Sequence, residues 1–267
     1  MTGRRFGLAV IGVVGASIAC FFFVGACPSA VGCIRPTVEL GASITVNGWM
    51  LGALVGIASV VWGFRTASLL RATEQGVRRL ATKESPNRLR SAQDRTGARR
   101  LVCLEGDSNS AFCAGLRPSI FIGEGVADRL SEKELDAVLL HEMDHAIRGE
   151  PLRRAGRQAA ADVFFFAPLV GWWAGRRMEQ VELMADRAAL RKVGSRAVAA
   201  ALWTLGTSAP TGTAAFSGLA EQRVAQLLGD PTPLPRPPLR LIATSAAGLY
   251  LALQLVACIA APFLSLT

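Results

Sequence analysis

The chain has 267 residues, of which 51% are hydrophobic, and its mean hydropathy is positive. That is too apolar for an ordinary soluble protein, and the length allows one or two domains. The formal net charge of +9 points to an anionic partner. With no aromatic interleaving and no recognisable DNA-binding motif, nucleic acid is not expected, and membrane lipid is.

In chain order, residues 1–64 read as an N-terminal membrane region with two transmembrane helices, at about 6–26 and 46–64. Phe6 to Ala26 is an unbroken apolar run long enough to cross ~30 Å of hydrocarbon as a helix. Arg4 and Arg5 before it also suit a signal peptide, but the apolar stretch exceeds a usual signal core, which favours a span. Between the two runs Arg35 is the one basic residue, whereas Arg65, Arg71, Arg78, Arg79 and Lys83 follow the second within about 20 residues of the membrane. Basic residues stay on the inner side, so the N-terminus and the chain after residue 64 are expected in the cytoplasm, at the cell membrane. Cys27 and Cys33 fall in the outer loop, where they could pair. Cys103 and Cys113 should be reduced thiols, and Cys20 and Cys258 lie in spans.

A cytoplasm-facing domain is expected over 65–230. Leu101 to Leu104, Ala111 to Ala114 and Ser119 to Ile122 are short apolar runs separated by turn residues, the pattern of a small antiparallel sheet. Ser119, Ile120, Phe121 and Ile122 are expected at its edge, where they can pair with an extended substrate backbone. The plainer reading is a sheet that only buries a helix.

That helix starts near Glu132. Ser131 and Glu134 form a capping box, Leu130 and Leu135 a hydrophobic staple, and Gly149 with Pro151 a stop. Within it lie the chain's two histidines, in His141-Glu142-Met143-Asp144-His145, an H-E-x-x-H pattern. Residues i and i+4 share a helix face, so both imidazoles can reach one Zn²⁺, with Glu142 beside them to take a proton from water. Such a site hydrolyses amide bonds. Asp144 reads as a solvated or supporting carboxylate rather than a ligand.

A catalytic zinc usually takes three protein ligands, and with no histidine left the third must be a carboxylate or a cysteine. Glu179, Glu182 and Asp186 lie on one later helix. Glu182 and Asp186 are four apart, so one can bind metal while the other orients an imidazole, but helix geometry does not choose among the three. The intervening apolar segment 159–175 carries Asp162 and is broken by Pro168 and Gly171. A single crossing there would put the histidines and these carboxylates on opposite faces of the bilayer, so a re-entrant or membrane-associated hairpin is expected. Ala197 to Leu205 and Leu219 to Leu228 have helical periodicity, residues 231–239 form a Pro-rich linker, and 240–267 a C-terminal transmembrane helix. For a second oxyanion donor, the only tyrosine, Tyr250, lies in the last span, which leaves an arginine such as Arg187.

Several motifs occur in order: Ala111-Phe112 with Gly115 and Pro118-Ser119-Ile120; Leu130-Ser131 and Glu134-Leu135 leading into His141 to His145; and Arg148 with Glu150-Pro151. The aromatic Phe164 to Trp173 segment follows, and then Glu182-Leu183-Met184-Ala185-Asp186, an E-x-x-A-D pattern. Over roughly residues 100–230 the chain thereby resembles the membrane-embedded gluzincin peptidases of the BlaR/MecR antirepressor type. More distantly it resembles the HtpX and CAAX prenyl protease type. The resemblance implies zinc held by His141, His145 and Glu182, Glu142 as general base, and Asp186 as the carboxylate that orients a ligand. It selects Glu182 where spacing could not. Ala167 stands before Pro168 where many relatives have asparagine. Only a few residues follow Leu264, where the antibiotic sensors carry a penicillin-binding domain, so β-lactam sensing is not expected.

The expected fold is thus an α+β membrane protein, with transmembrane helices and a mostly helical zincin-like catalytic domain bearing a small antiparallel sheet. The expected activity is zinc-dependent cleavage of a cytosolic or membrane-proximal protein, with a transcriptional repressor as one candidate substrate. Membrane-protein quality control is the enzymatic alternative. A non-catalytic receptor or scaffold with structural zinc is the alternative of another class, and it conflicts with the rule that structural zinc closes all four positions with protein ligands.

Overall fold

A computed structural model of the chain describes residues 40–106, 110–206, 223–227, 229 and 236–264. The span expected at 6–26, the Cys27 and Cys33 loop and most of the 231–239 linker lie outside the described residues. Those described are mostly helical with one small mixed sheet, and they divide into two compact units.

Helix α1 (Leu40–Arg78) runs for 39 residues without a break. The span expected at 46–64 lies within it, yet the helix does not stop at Phe64, because Ala-Ser-Leu-Leu-Arg-Ala-Thr-Glu-Gln beyond it contains no glycine or proline to end a turn. Its stretch Leu54–Arg78 is the one candidate membrane span among the described residues by length and composition.

One unit comprises residues 63–159 and 173–235. It holds β1 (Thr82–Lys83), α2 (Asn87–Thr96), β2 (Leu101–Leu104), β3 (Ala111–Ala114), β4 (Ser119–Gly123), α3 (Glu124–Arg129) and α4 (Glu132–Ile147). Helix α5 (Glu150–Val163) begins in it, α6 (Pro168–Val193) ends in it, and α7 (Ser195–Gly206) follows. The strands are ordered β1-β2-β4-β3, with β3 and β4 antiparallel and β2 and β4 parallel.

This order corrects two expectations. The sheet is mixed rather than antiparallel, and Ser119, Ile120, Phe121 and Ile122 form an inner strand rather than an edge, paired to β2 on one side and β3 on the other. The cause is visible in burial: Ile120, Phe121 and Ile122 are 0%, 7% and 0% exposed, so both faces of β4 are covered, as suits a consecutive apolar run. Backbone on the inner strand is already hydrogen-bonded. Of the two outer strands, β3 is the longer.

One side of the sheet packs into the main core. Cys103, Ile120 and Ile122 meet Leu89 of α2, Val126 and Leu130 around α3, Leu135, Val138 and Leu139 of α4, and Val198 and Ala201 of α7. Leu89, Leu135 and Leu139 are fully buried. Truncating one of them to alanine costs about 2–5 kcal/mol, because the cavity left behind relaxes only in part. On the other side Leu104, Ala114 and Phe121 make a smaller cluster, with Phe112 stacked on Phe121 at 5.2 Å between ring centroids.

The second unit contains residues 160–172 and, beyond 236, the helix α8 (Leu239–Leu264). Within 159–175, α5 ends at Val163, Phe164 to Phe166 turn, and α6 begins at Pro168, whose missing N–H suits a first helical position. The next amide, Leu169 N–H, donates to Ser245 Oγ of α8 at 2.8 Å, satisfying one of the donors that a helix start leaves free. Gly248 of α8 lies against the Phe166 carbonyl so closely that a Cβ there would overlap the oxygen. Only glycine fits that approach.

Candidate metal centre

Helix α4 is anchored at its start from several directions. The Ser131 and Glu134 capping box is formed, with the Ser131 N–H donating to Glu134 Oε2 at 2.9 Å. Arg88 of α2 donates to the carbonyls of Asp128 and Leu130 just ahead of it. Arg95 forks onto Asp136, with Nε to Oδ2 at 3.0 Å and Nη2 to Oδ1 at 2.8 Å. The helix ends at Ile147, and Gly149 takes a left-handed φ of 62° that turns the chain into α5. Its Leu135, Val138 and Leu139 face the core, which fixes its rotation and leaves His141 and His145 to face α6.

Across that gap α6 presents Glu182 and Asp186. The two imidazole Nε2 atoms lie 3.1 Å apart. His141 Nε2 is 3.3 Å from Glu182 Oε2, and His145 Nε2 is 3.6 Å from Glu182 Oε1. All three groups can offer ligand atoms within 4.8 Å of one another. Two imidazoles and a carboxylate converging in this way form the nitrogen and oxygen donor set that suits zinc. On the far side of the ring, His141 Nδ1 faces Asp186 Oδ1 at 2.9 Å, which leaves Nε2 turned toward the cluster. His145 Nδ1 is buried with no hydrogen-bond partner among the described residues.

The pattern of the BlaR1 peptidase M56 family matches residues 36–218, more than half of the chain. The chain belongs to that family. No curated protein matches it. Membership makes this a membrane-associated metallopeptidase of the BlaR1 type, with protein or peptide as its substrate class, and the His141, His145 and Glu182 cluster fits its metal.

The M56 peptidase brings together some of the carboxylates that spacing left equivalent and separates others. Glu182 and Asp186 meet the histidines, whereas Glu179 pairs with Arg176 at 2.6 Å on its own helix. Asp144 accepts from Arg148 Nε at 2.6 Å. Arg187 donates to Gln226 at the surface and takes no part in the cluster. A different arginine does, and sequence reasoning passed over it: Arg223, in the helical residues 223–227, donates from Nε to Asp186 Oδ2 and from Nη2 to Asp186 Oδ1, both at 2.6 Å. Its only sequence signal was one charge inside a helix of ordinary periodicity.

Burial and charge act against each other throughout this M56 site. Burial pushes the His141 imidazole down, but the Asp186 and Glu182 carboxylates that accept from it outweigh burial and raise it to about 9. Burial pushes Glu182 and Asp186 up, and hydrogen bonds from the histidines and from Arg223 override it, so both end below their ordinary range. Glu142 has no such hydrogen-bond partner among the described residues. Burial raises it, and the neighbouring imidazoles only moderate the rise. A carboxylate with raised proton affinity beside a metal-type donor cluster is the electrostatic setting of a general base.

Proposed function

We propose that this M56 peptidase is a multi-pass, cell-membrane zinc endopeptidase whose catalytic unit faces the cytoplasm and cuts a cytosolic or membrane-proximal protein. The observation that carries the reading is the convergence of His141 Nε2, His145 Nε2 and Glu182 within reach of one cation, beside a buried Glu142 whose proton affinity is raised. His141, His145 and Glu182 are the ligands, in the gluzincin arrangement. Asp186 orients His141 by accepting from Nδ1. Zinc, when bound, supplies Lewis-acid polarisation of the scissile carbonyl and makes water more acidic.

Glu142 does the proton work. It takes a proton from the attacking water as the water oxygen bonds to the carbonyl carbon, and it delivers that proton to the amine nitrogen as the C–N bond breaks. The substrate backbone is proposed to lie along β3, the outer strand. Since Gly123 N–H donates to Ser110 O, the antiparallel alternation leaves the N–H and C=O of Ala111 and Cys113 on the open edge. Closeness of β3 to the base is supported by Cys113: burial raises its thiol, and the Glu142 charge adds to the rise.

Anchoring is supported by the apolar Leu54–Arg78 stretch and orientation by the arginines that follow residue 64. A transcriptional repressor is the substrate we favour, with membrane-protein quality control as the alternative outcome of a fragment analysis. Glu142→Gln should abolish cleavage of a test protein in membranes while the protein retains stoichiometric zinc. Cleavage at the wild-type rate would remove Glu142 from its role; loss of zinc from the wild type would remove the whole reading.

A further inference from the structure

Arg223 lies beyond residue 218, where the family match ends, and it is the one cation that forks onto the carboxylates of this centre among the described residues. Its side chain is 15% exposed and that of Asp186 1%. Both oxygens of Asp186 are engaged by the guanidinium, in the planar two-bond geometry that fixes a carboxylate in orientation as well as in place. Oδ1 also faces His141 Nδ1, so three groups form one line: Arg223, Asp186, His141, with His141 Nε2 at its end. Without the fork, Asp186 is free to rotate about its last torsion, and the imidazole it holds is free to turn with it.

Charge leads to the same residue. Glu142, Glu182 and Asp186 bring three carboxylates into one buried cluster, where a single guanidinium and a divalent cation together balance them. We propose that Arg223 is a positioning residue of the metal centre, which acts through Asp186 to hold His141 in the ligating tautomer and orientation. This rests on the zinc reading above. Among the described residues Arg223 makes no hydrogen bond to the three proposed ligands or to Glu142, so its positioning effect runs through Asp186, while its charge also acts on Glu142 and Glu182 across the cluster.

The test is a double-mutant cycle on the full-length protein in detergent, with zinc affinity of the metal-free form measured by competition against a chromophoric chelator. Arg223→Gln should weaken zinc about 10–100-fold, the range for supporting partners of ligating histidines, and Arg223→Lys should fall between it and the wild type because one ammonium cannot fork. Asp186→Asn should weaken zinc to a similar degree, and adding Arg223→Gln to Asp186→Asn should cost little more, because both changes cut the same line. The His141 Nδ1 proton, followed by nitrogen-edited NMR, should shift in Arg223→Gln. Additive losses in the cycle, or an unchanged affinity and resonance in Arg223→Gln, would overturn the proposal while leaving the zinc reading intact. A wild type that binds no zinc would overturn both. If Arg223→Gln does not fold, Arg223→Lys and Asp186→Asn still decide the matter through the same resonance and affinity.

Discussion

The two histidines share one helix and turn their Nε2 atoms toward the same carboxylate, Glu182, yet their surroundings differ. His141 is backed by a buried chain of charge, Asp186 and then Arg223, brought from α6 and from residues 223–227. His145 has no such backing: its Nδ1 is buried without a partner among the described residues. One flank of the cluster is therefore stiff and electrostatically committed, and the other is held on its cluster side alone, by Glu182 and His141. A donor set can be complete while its rigidity comes from one side.

Removing the stiff flank should give the largest effect. Asp186→Ala strands the Arg223 guanidinium in a buried position without the carboxylate it forks onto, a loss of about 3–5 kcal/mol. Urea unfolding of the metal-free protein should register that loss. A change within ~0.5 kcal/mol would mean that Arg223 escapes to water and that the flank is soft.

The same comparison has a pH signature. The folded His141 imidazole is raised to about 9 from its ordinary 6.5, so its contribution to the metal-free protein is fully present below 6.5 and disappears as pH rises through about 9. Zinc must displace that proton, so its affinity should climb over the same interval while metal-free stability falls. Parallel unfolding curves with and without zinc between these limits should therefore diverge. Curves that move together would place the coupled proton elsewhere.

The open edge gives a smaller effect that touches activity and spares the fold. Ala111→Pro removes an outward N–H from β3, a loss that an outer strand tolerates. KM for an extended peptide should rise several-fold with melting behaviour nearly unchanged. An unaffected KM would exclude β3 as the substrate strand. Smallest is the chemistry of Cys113: with its thiol pushed up to about 12 by burial and by Glu142, alkylation by iodoacetamide at pH 8 should be slow in the folded protein and fast in denaturant. Rapid labelling of the native form would show that this side of the site is open to water.

Local pattern made parts of this molecule legible. The limits of α4 followed from Ser131, Glu134, Gly149 and Pro151 within one residue or so, because caps and stops act on neighbouring backbone groups. The i,i+4 spacing of His141 and His145 put both on one face for the same reason. What failed was long-range. The parallel pairing of β2 with β4 moved Ser119 to Ile122 from the edge to the interior, and no local signal encodes which strand lies beside which.

By itself the sequence determined the helix that carries the histidines, the glutamate next to them and a short set of acids from which a partner must come, since each depends on spacing along a few turns. Tertiary structure alone decided that Glu182 and Asp186 meet the histidines while Glu179 turns to Arg176, that β3 rather than β4 is an outer strand, and that Arg223 stands behind Asp186. Such choices rest on which side chains share a buried volume. For Glu182, Asp186 and Arg223 that is fixed by packing across 37 or more residues of chain, a separation over which periodicity carries no information.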